Sequence, residues 1–153
     1  MSVAFRREGD DEHLEPKFEL PIPPGPNLVT ARGLQLIEAR LAGLEQRLSG
    51  ESDEEARKAT LRQLRYWSTR AATAQLVEPR GADRVGFGST VTIELKGKPR
   101  TFTLVGDDEA DPAQGLLAFS APLARAVMGA EPGDLVDFGG EEEAIEVIAI
   151  RVL

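Results

Sequence analysis

The stretch Arg84–Leu95, RVGFGSTVTIEL, changes the period of the chain. Val91 and Ile93 alternate with Thr90, Thr92 and Glu94, and the run is rich in β-branched residues, so it reads as a half-buried strand. KGKP (96–99) is a turn, and RTFTLVG (100–106) is the returning strand of a hairpin. DDEADPAQG is a polar loop and LLAFS a short strand. APLARAVMG (121–129) predicts a short helix, with Ser120 or Ala121 ahead of it, Pro122 in its first turn and Gly129 just past its end. EPGD is a turn, LVDFGG a strand, GGEEEA (139–144) a solvated hairpin turn and AIEVIAIRVL a closing strand. Together these predict a small antiparallel sheet of about five strands with one helix, an α+β module.

Upstream the period is helical. Leu34, Ile37, Leu41, Leu44 and Leu48 follow a 3-4-3-4 spacing, a heptad seam on one helix face. Thr30 suits the N-cap and Gly50 the stop. A second helix is expected from about Ser52 to Leu76, with a seam of Leu61, Leu64, Trp67 or Ser68, Ala71 and Ala74, before Pro79 and Gly81. Tyr66 and Trp67, being adjacent, should point in different directions, one of them into packing. A short connection makes the helices antiparallel neighbours, so residues 30–78 form a coiled-coil hairpin whose first helix is roughly 28 Å long. Its turn, GESDEEARK (50–58), gathers Glu51, Asp53, Glu54 and Glu55. Ser52 and Glu55 have capping-box spacing, and acids in a first turn complement the helix dipole. That leaves Glu51, and the density of the cluster, without a structural account.

Residues 1–29 are charge-rich and then proline-rich, the composition of a disordered acidic tail or extended strap. The expected division is therefore 1–29 tail, 30–78 arm and 79–153 sheet domain. The net charge of −8 is uneven. Three basic residues face six acidic ones in 1–29, eight face seven in 30–78, and seven face thirteen in 79–153. Such a field does not draw the whole protein to nucleic acid, so any such contact must be local or made through a partner. With no cysteine there is no disulfide or thiolate site, and the single histidine, His13, argues against histidine-based catalysis. The first thirteen residues contain no apolar signal core, and no run approaches a membrane span; a cytoplasmic protein without membrane contact is expected.

The run from Gly88 to Val136 resembles the C-terminal domain of the bacterial GreA/GreB family of transcription elongation factors. Gly88–Val91, Val105-Gly106 with Glu109-Ala110-Asp111, Pro122–Gly129, and Gly133-Asp134 with Val136 carry the likeness in order. Thr30, Gly33, Ile37 and Leu41 are similar to the family's entry into its first helix, and ATAQLVEP to the exit from its second. The resemblance implies a coiled-coil arm followed by an FKBP-like domain. It implies that the domain docks on RNA polymerase at the secondary channel, with nascent RNA and DNA met only within the elongation complex. It also implies that acidic residues at the arm's tip help hold a magnesium ion for hydrolysis of backtracked RNA, the metal site being supplied mainly by the polymerase.

This chain departs from the family at the tip: GESDEEAR replaces a G-D-L-x-E-N pattern, and the arm is several turns short. Ala121 also stands where the family has Ser before Pro. The tip candidates are therefore positional, Glu51, Asp53, Glu54 and Glu55, with Asp53 and Glu54 as the possible shared magnesium contact. Pro122, Leu123 and Arg125 are docking candidates through the resemblance. Lys58, Arg62 and Arg65 recur at i, i+4 and i+7; they are either a solvated stripe paired with acids of the first helix or a contact for RNA or an acidic polymerase surface. Asp107–Asp111 orders a turn or attracts a cation by charge alone. The expectation is a monomeric, non-enzymatic, short-arm regulator similar to Rnk, without strong cleavage stimulation and with no cofactor of its own. The alternatives are a genuine cleavage factor, a peptidyl-prolyl isomerase with a pocket drawn from Phe87, Phe102, Phe119 and Phe138, and an interaction module for a non-polymerase partner.

Overall fold

The computed structural model describes residues 19–152. What the sequence suggests for residues 1–18, His13 included, lies outside them. The described chain forms two units, one of residues 19–25 with 37–73 and the other of 26–36 with 74–152.

The first unit is built on two helices. α1 (Ala31–Gly50) begins in the second unit and supplies its remaining turns to the first, while α2 (Glu54–Thr73) lies wholly within it. Of the heptad positions on α1, Ile37 and Leu44 are buried and Leu41 and Leu48 half-buried. The carbonyl of Leu48 meets Arg57, and Arg40 meets Trp67, which sets the helices antiparallel. On α2 the expected seam is followed in part: Leu64, Trp67 and Ala71 are half-buried. Leu61 is 37% exposed, whereas Thr60 and Arg70 are buried. Tyr66 and Trp67 make an edge-to-face contact at 5.1 Å between centroids rather than diverging, since adjacent rings on a helix can still meet at their rims. α2 also stops three residues short of Leu76. Gln75 and Leu76 (β2) leave the helix to pair in parallel with Leu28 and Val29 (β1), inside the segment read as tail.

The second unit holds a five-stranded sheet ordered β5-β4-β3-β7-β6. Its strands are β3 (Ser89–Leu95), β4 (Lys98–Val105), β5 (Leu116–Ala118), β6 (Leu135–Phe138) and β7 (Glu141–Val152). β3 is central, paired antiparallel to β4 and β7, which is why Ser89 and Thr90 are buried along with Val91. The sheet is mixed, not wholly antiparallel. The loop after β4, with its 3-10 turn at Pro112–Gln114, carries the chain back so that β5 joins β4 in parallel. β7 starts three residues earlier than expected, because Gly139 and Gly140 alone make the turn with φ of 65° and 80°.

α3 (Pro122–Val127) covers one face of the sheet. Its start follows the sequence reading: Ala121 is extended, Pro122 opens the helix, and Gly129 lies beyond it at φ 81°. Leu123, Ala124 and Val127 join Val91, Ile93, Phe102, Leu104, Ile145 and Val147 in one aliphatic core. Truncating a side chain such as Leu104, which is fully buried, costs about 2–5 kcal/mol. On the sheet's other face Thr90 and Thr103 share a hydrogen bond at 2.8 Å, and Thr92 and Thr101 one at 3.1 Å.

Candidate functional site

At the hairpin tip Glu51, Asp53 and Arg57 each have a local task that can be traced. Three residues, 51–53, join the helices. The cap of α2 is Asp53, not Ser52: the backbone N–H of Ala56 donates to Asp53 Oδ2 at 2.9 Å, and helical bonding begins with Arg57 N–H on the Asp53 carbonyl. An Asp cap one residue later satisfies the orphan amides better than the capping box anticipated by spacing. Glu51 Oε2 accepts from the Asp53 N–H at 2.9 Å, which accounts for Glu51 without chemistry. Arg57, which sequence reading did not single out, donates through Nη1 to the carbonyls of Leu48 and Glu51 at 2.9 and 3.0 Å. It closes the C-terminal end of α1 from across the turn. Glu54 and Glu55 are exposed on the first turn of α2, and Glu55 reaches Lys58 only at 3.9 Å.

Glu51 and Asp53 each spend an oxygen on a backbone amide of the turn, and among the described residues no group of three carboxylates or imidazoles converges. The tip's own donors therefore do not make up the ligand set of a resident cation; a magnesium contact shared with a polymerase is a separate matter.

The basic stripe meets carboxylates outside α1, Lys58 reaching Glu55 of its own helix at 3.9 Å. Arg65 is held in a two-point contact by Glu19, Nε to Oε1 at 2.8 Å and Nη2 to Oε2 at 2.6 Å. The hydrogen bond from Arg65 holds the Glu19 carboxyl below the usual carboxylate range; slight desolvation opposes this, and the charges of Arg65 and Arg62 add to it. Lys58 and Arg62 lie along the same helix, Lys58 exposed and Arg62 half-buried. On α1, Arg40 stacks over Trp67 at 5.4 Å, lining a small groove of about 180 Å³ with Gly43, Arg47 and Gln63. Trp67 is thus occupied by an intramolecular cation.

In the second unit four of the resemblance-bearing residues, Thr30, Gly33, Gly106 and Glu109, meet at the start of α1. Thr30 caps α1, with its Oγ1 accepting from the Gly33 N–H at 3.0 Å, as its position predicted. The same hydroxyl donates to Glu109 Oε1 at 2.5 Å, and Arg32 Nη1 donates to Glu109 Oε2 at 2.8 Å. The Glu109 side chain is 4% exposed. At Gly33 a Cβ would lie 2.8 Å from Glu109 Oε1, so it could be added only if that carboxylate shifted. Gly106 is required more strictly, since its Cβ would lie 2.3 Å from the Leu28 carbonyl oxygen. The Asp107–Asp111 loop is therefore a structural device. Asp107 accepts from Ser120 at 2.5 Å and Asp111 bridges Leu116, while Glu109 holds α1.

On α3 the three docking candidates separate. Leu123 is buried in the core, because the helix is only six residues long and must use it to cover the sheet. Pro122 and Arg125 are exposed, and Met128 beside them is 40% exposed, a residue the sequence did not single out. The four phenylalanines behave as packing residues. Phe102 is in the core, Phe138 packs against it, and Phe87 meets Phe119 edge-on at 5.5 Å.

These features define a class: a helical hairpin followed by a small mixed sheet under one short helix, with the entry to the first helix clasped by a loop carboxylate. Residues 79–152 match the family model for the C-terminal domain of the transcription elongation factors GreA and GreB, so this segment is a domain of that type. The transcription elongation factor GreA of Ralstonia nicotianae is 42% identical over 93 residues, 56% of this chain and 58% of that protein. The GreA of Verminephrobacter eiseniae aligns over 142 residues at 28% identity, covering 89% and 87% of the two chains. At the higher identities the matched segment spans about half the length of the curated relatives, from 47% to 59%. Among solved structures, a GreA/GreB factor from Nitrosomonas europaea aligns with a TM-score of 0.40 and the GreA factor homolog Gfh1 of Thermus thermophilus with 0.39. Both are 18% identical, covering 84% and 83% of this chain and 99% of each of theirs.

Proposed function

We propose that this protein binds RNA polymerase and regulates transcription elongation from the secondary channel without strongly stimulating transcript cleavage. The observation that supports the second clause is the tip. Its Asp53 and Glu51 are committed to capping the turn, and Arg57 closes α1 against it. Glu54 and Glu55 are left as surface charge with no converging third ligand. In this reading the exposed Pro122, Arg125 and Met128 contact the polymerase, and the stripe of Lys58, Arg62 and Arg65 meets transcript phosphates within the elongation complex. Catalysis and any magnesium belong to the polymerase; the protein acts as a monomer with no cofactor of its own.

The test is a cleavage assay on stalled, backtracked elongation complexes, with wild type beside a variant carrying Ala at 51, 53, 54 and 55. The expected result is no cleavage by either protein, with wild type competing against an active cleavage factor. Cleavage that the variant loses would make the tip a contributor to the metal site and overturn the reading. Absence of both cleavage and competition would overturn the polymerase assignment.

A further inference from the structure

Glu19 and Arg65 are 46 residues apart in sequence, yet both guanidinium nitrogens of one Arg65 edge are given to the two oxygens of one carboxylate. Both side chains remain about half exposed, so the pair adds little to folding. Its effect is on availability. The Nε and Nη2 edge is the fork with which arginine recognises a phosphate in two-point fashion, and a carboxylate fills the same geometry. Arg65 is also the end of the only regularly spaced basic row on α2, with Arg62 close enough for its charge to act on Glu19.

We propose that Glu19 is a phosphate mimic in cis: it occupies the recognition edge of Arg65 and holds the Lys58–Arg62–Arg65 stripe in a reduced-affinity state, which a transcript backbone must displace. This rests on the reading of the stripe as an RNA contact and adds its regulation. The spacing of the row favours a phosphodiester chain over a folded protein surface. Four and three residues of helix place successive cations about 6 and 4.5 Å apart along the axis, a straight line of positive charge. The acidic latch and the acidic protein around it keep non-specific nucleic acid away, so that only RNA presented at high local concentration competes.

The experiment compares wild type, Glu19→Gln, Arg65→Gln and the double variant for binding of a labelled single-stranded RNA at low salt. It also follows the Arg65 Nε–H resonance by NMR. The expected result is binding tightened about two- to five-fold by Glu19→Gln, the scale of releasing one exposed ion pair. Arg65→Gln should weaken binding, and the double variant should match Arg65→Gln alone. The Nε–H resonance should shift on loss of the Glu19 carboxylate. An unshifted resonance, or unchanged RNA affinity in Glu19→Gln while Arg65→Gln binds more weakly, overturns the latch and leaves the stripe as an RNA contact. Equal binding by all four proteins overturns both. Tighter binding of Glu19→Gln to polymerase lacking a transcript, with RNA affinity unchanged, overturns the phosphate assignment in favour of an acidic protein surface.

Discussion

Glu109 and Asp53 each serve the start of a helix, and they do so in opposite ways. Asp53 is exposed and accepts from an amide three residues along its own chain. Glu109 is buried and accepts from Thr30 and Arg32, 79 and 77 residues away. The first is a local cap that any chain beginning a helix can form. The second exists only once a sheet, a loop and a helix entry have come together. Its neighbours must therefore be the right size: Gly33 and Gly106 leave room that a single methyl group would fill. A carboxylate of the second kind specifies the fold, and one of the first kind can be exchanged.

The largest effect should come from closing that room. Gly106→Ala places its Cβ against a backbone oxygen, which cannot rotate away. The expected loss is about 3 kcal/mol, a drop in Tm of roughly 12–24 °C for a domain of this size. A melting temperature within two degrees or so of wild type would show that β1 is free to yield, and the contrast drawn above would weaken.

Next is the carboxylate itself. Glu109→Ala leaves the part-buried Thr30 hydroxyl without its acceptor, while Arg32, 65% exposed, turns to water; the expected cost is about 1 kcal/mol in denaturant unfolding. Gly33→Ala sharpens the point because its sign should depend on Glu109. In the wild-type background the new methyl meets Glu109 Oε1, whose carboxyl must disturb its bonds from Thr30 and Arg32 to move aside. In the Glu109→Ala background the same substitution relieves a helical glycine and should stabilise by about 1 kcal/mol. Additive effects in the four-protein cycle would mean that the two residues do not share the space the structure gives them.

At the tip, Asp53→Ala should cost about 1 kcal/mol as a lost N-cap, while Asp53→Asn should be nearly neutral, since Asn caps as well as Asp. The pair separates capping from charge. If Asp53→Asn keeps its stability but abolishes a cleavage activity, the tip is a chemical site after all and the contrast with Glu109 fails.

How much of this could be read beforehand follows the same division. The period-two run at Thr90–Glu94, the Pro122 and Gly129 signals around α3, and the Thr30 cap are local rules, and the structure obeys them. The heptad of α1 was legible because its own residues set it; on α2 the half-buried Leu64, Trp67 and Ala71 were legible too, but the buried Thr60 and Arg70 were not, being residue types that composition assigns to the surface. The parallel entry of β5 and the β1–β2 pair depend on long-range pairing that no short window contains. For the candidate site, the glycines and Glu109 were visible as a pattern, but their reason, one shared clasp, is tertiary. Arg57 and Glu19 carried no signal, since a single charged residue in a polar segment looks like any other.

The smallest effect tests whether Glu19 belongs with the local or the long-range carboxylates. It is exposed like Asp53, yet its partner is distant like those of Glu109. Its carboxyl is held below the usual range in the folded chain, first by the Arg65 hydrogen bond. Because the folded value lies below the unfolded one, the contact's contribution is fully present above the ordinary glutamate value of about 4.3. It is lost as pH falls through the lowered folded value. A carboxyl-detected NMR titration should therefore place the Glu19 midpoint below those of ordinary exposed glutamates, and Arg65→Gln should return it to their range. Added salt should do the same in part, because the pair is half exposed and screened. A midpoint in wild type that already matches ordinary glutamates would make Glu19 a passing surface charge, and the distinction between local and long-range carboxylates would then run through Glu109 alone.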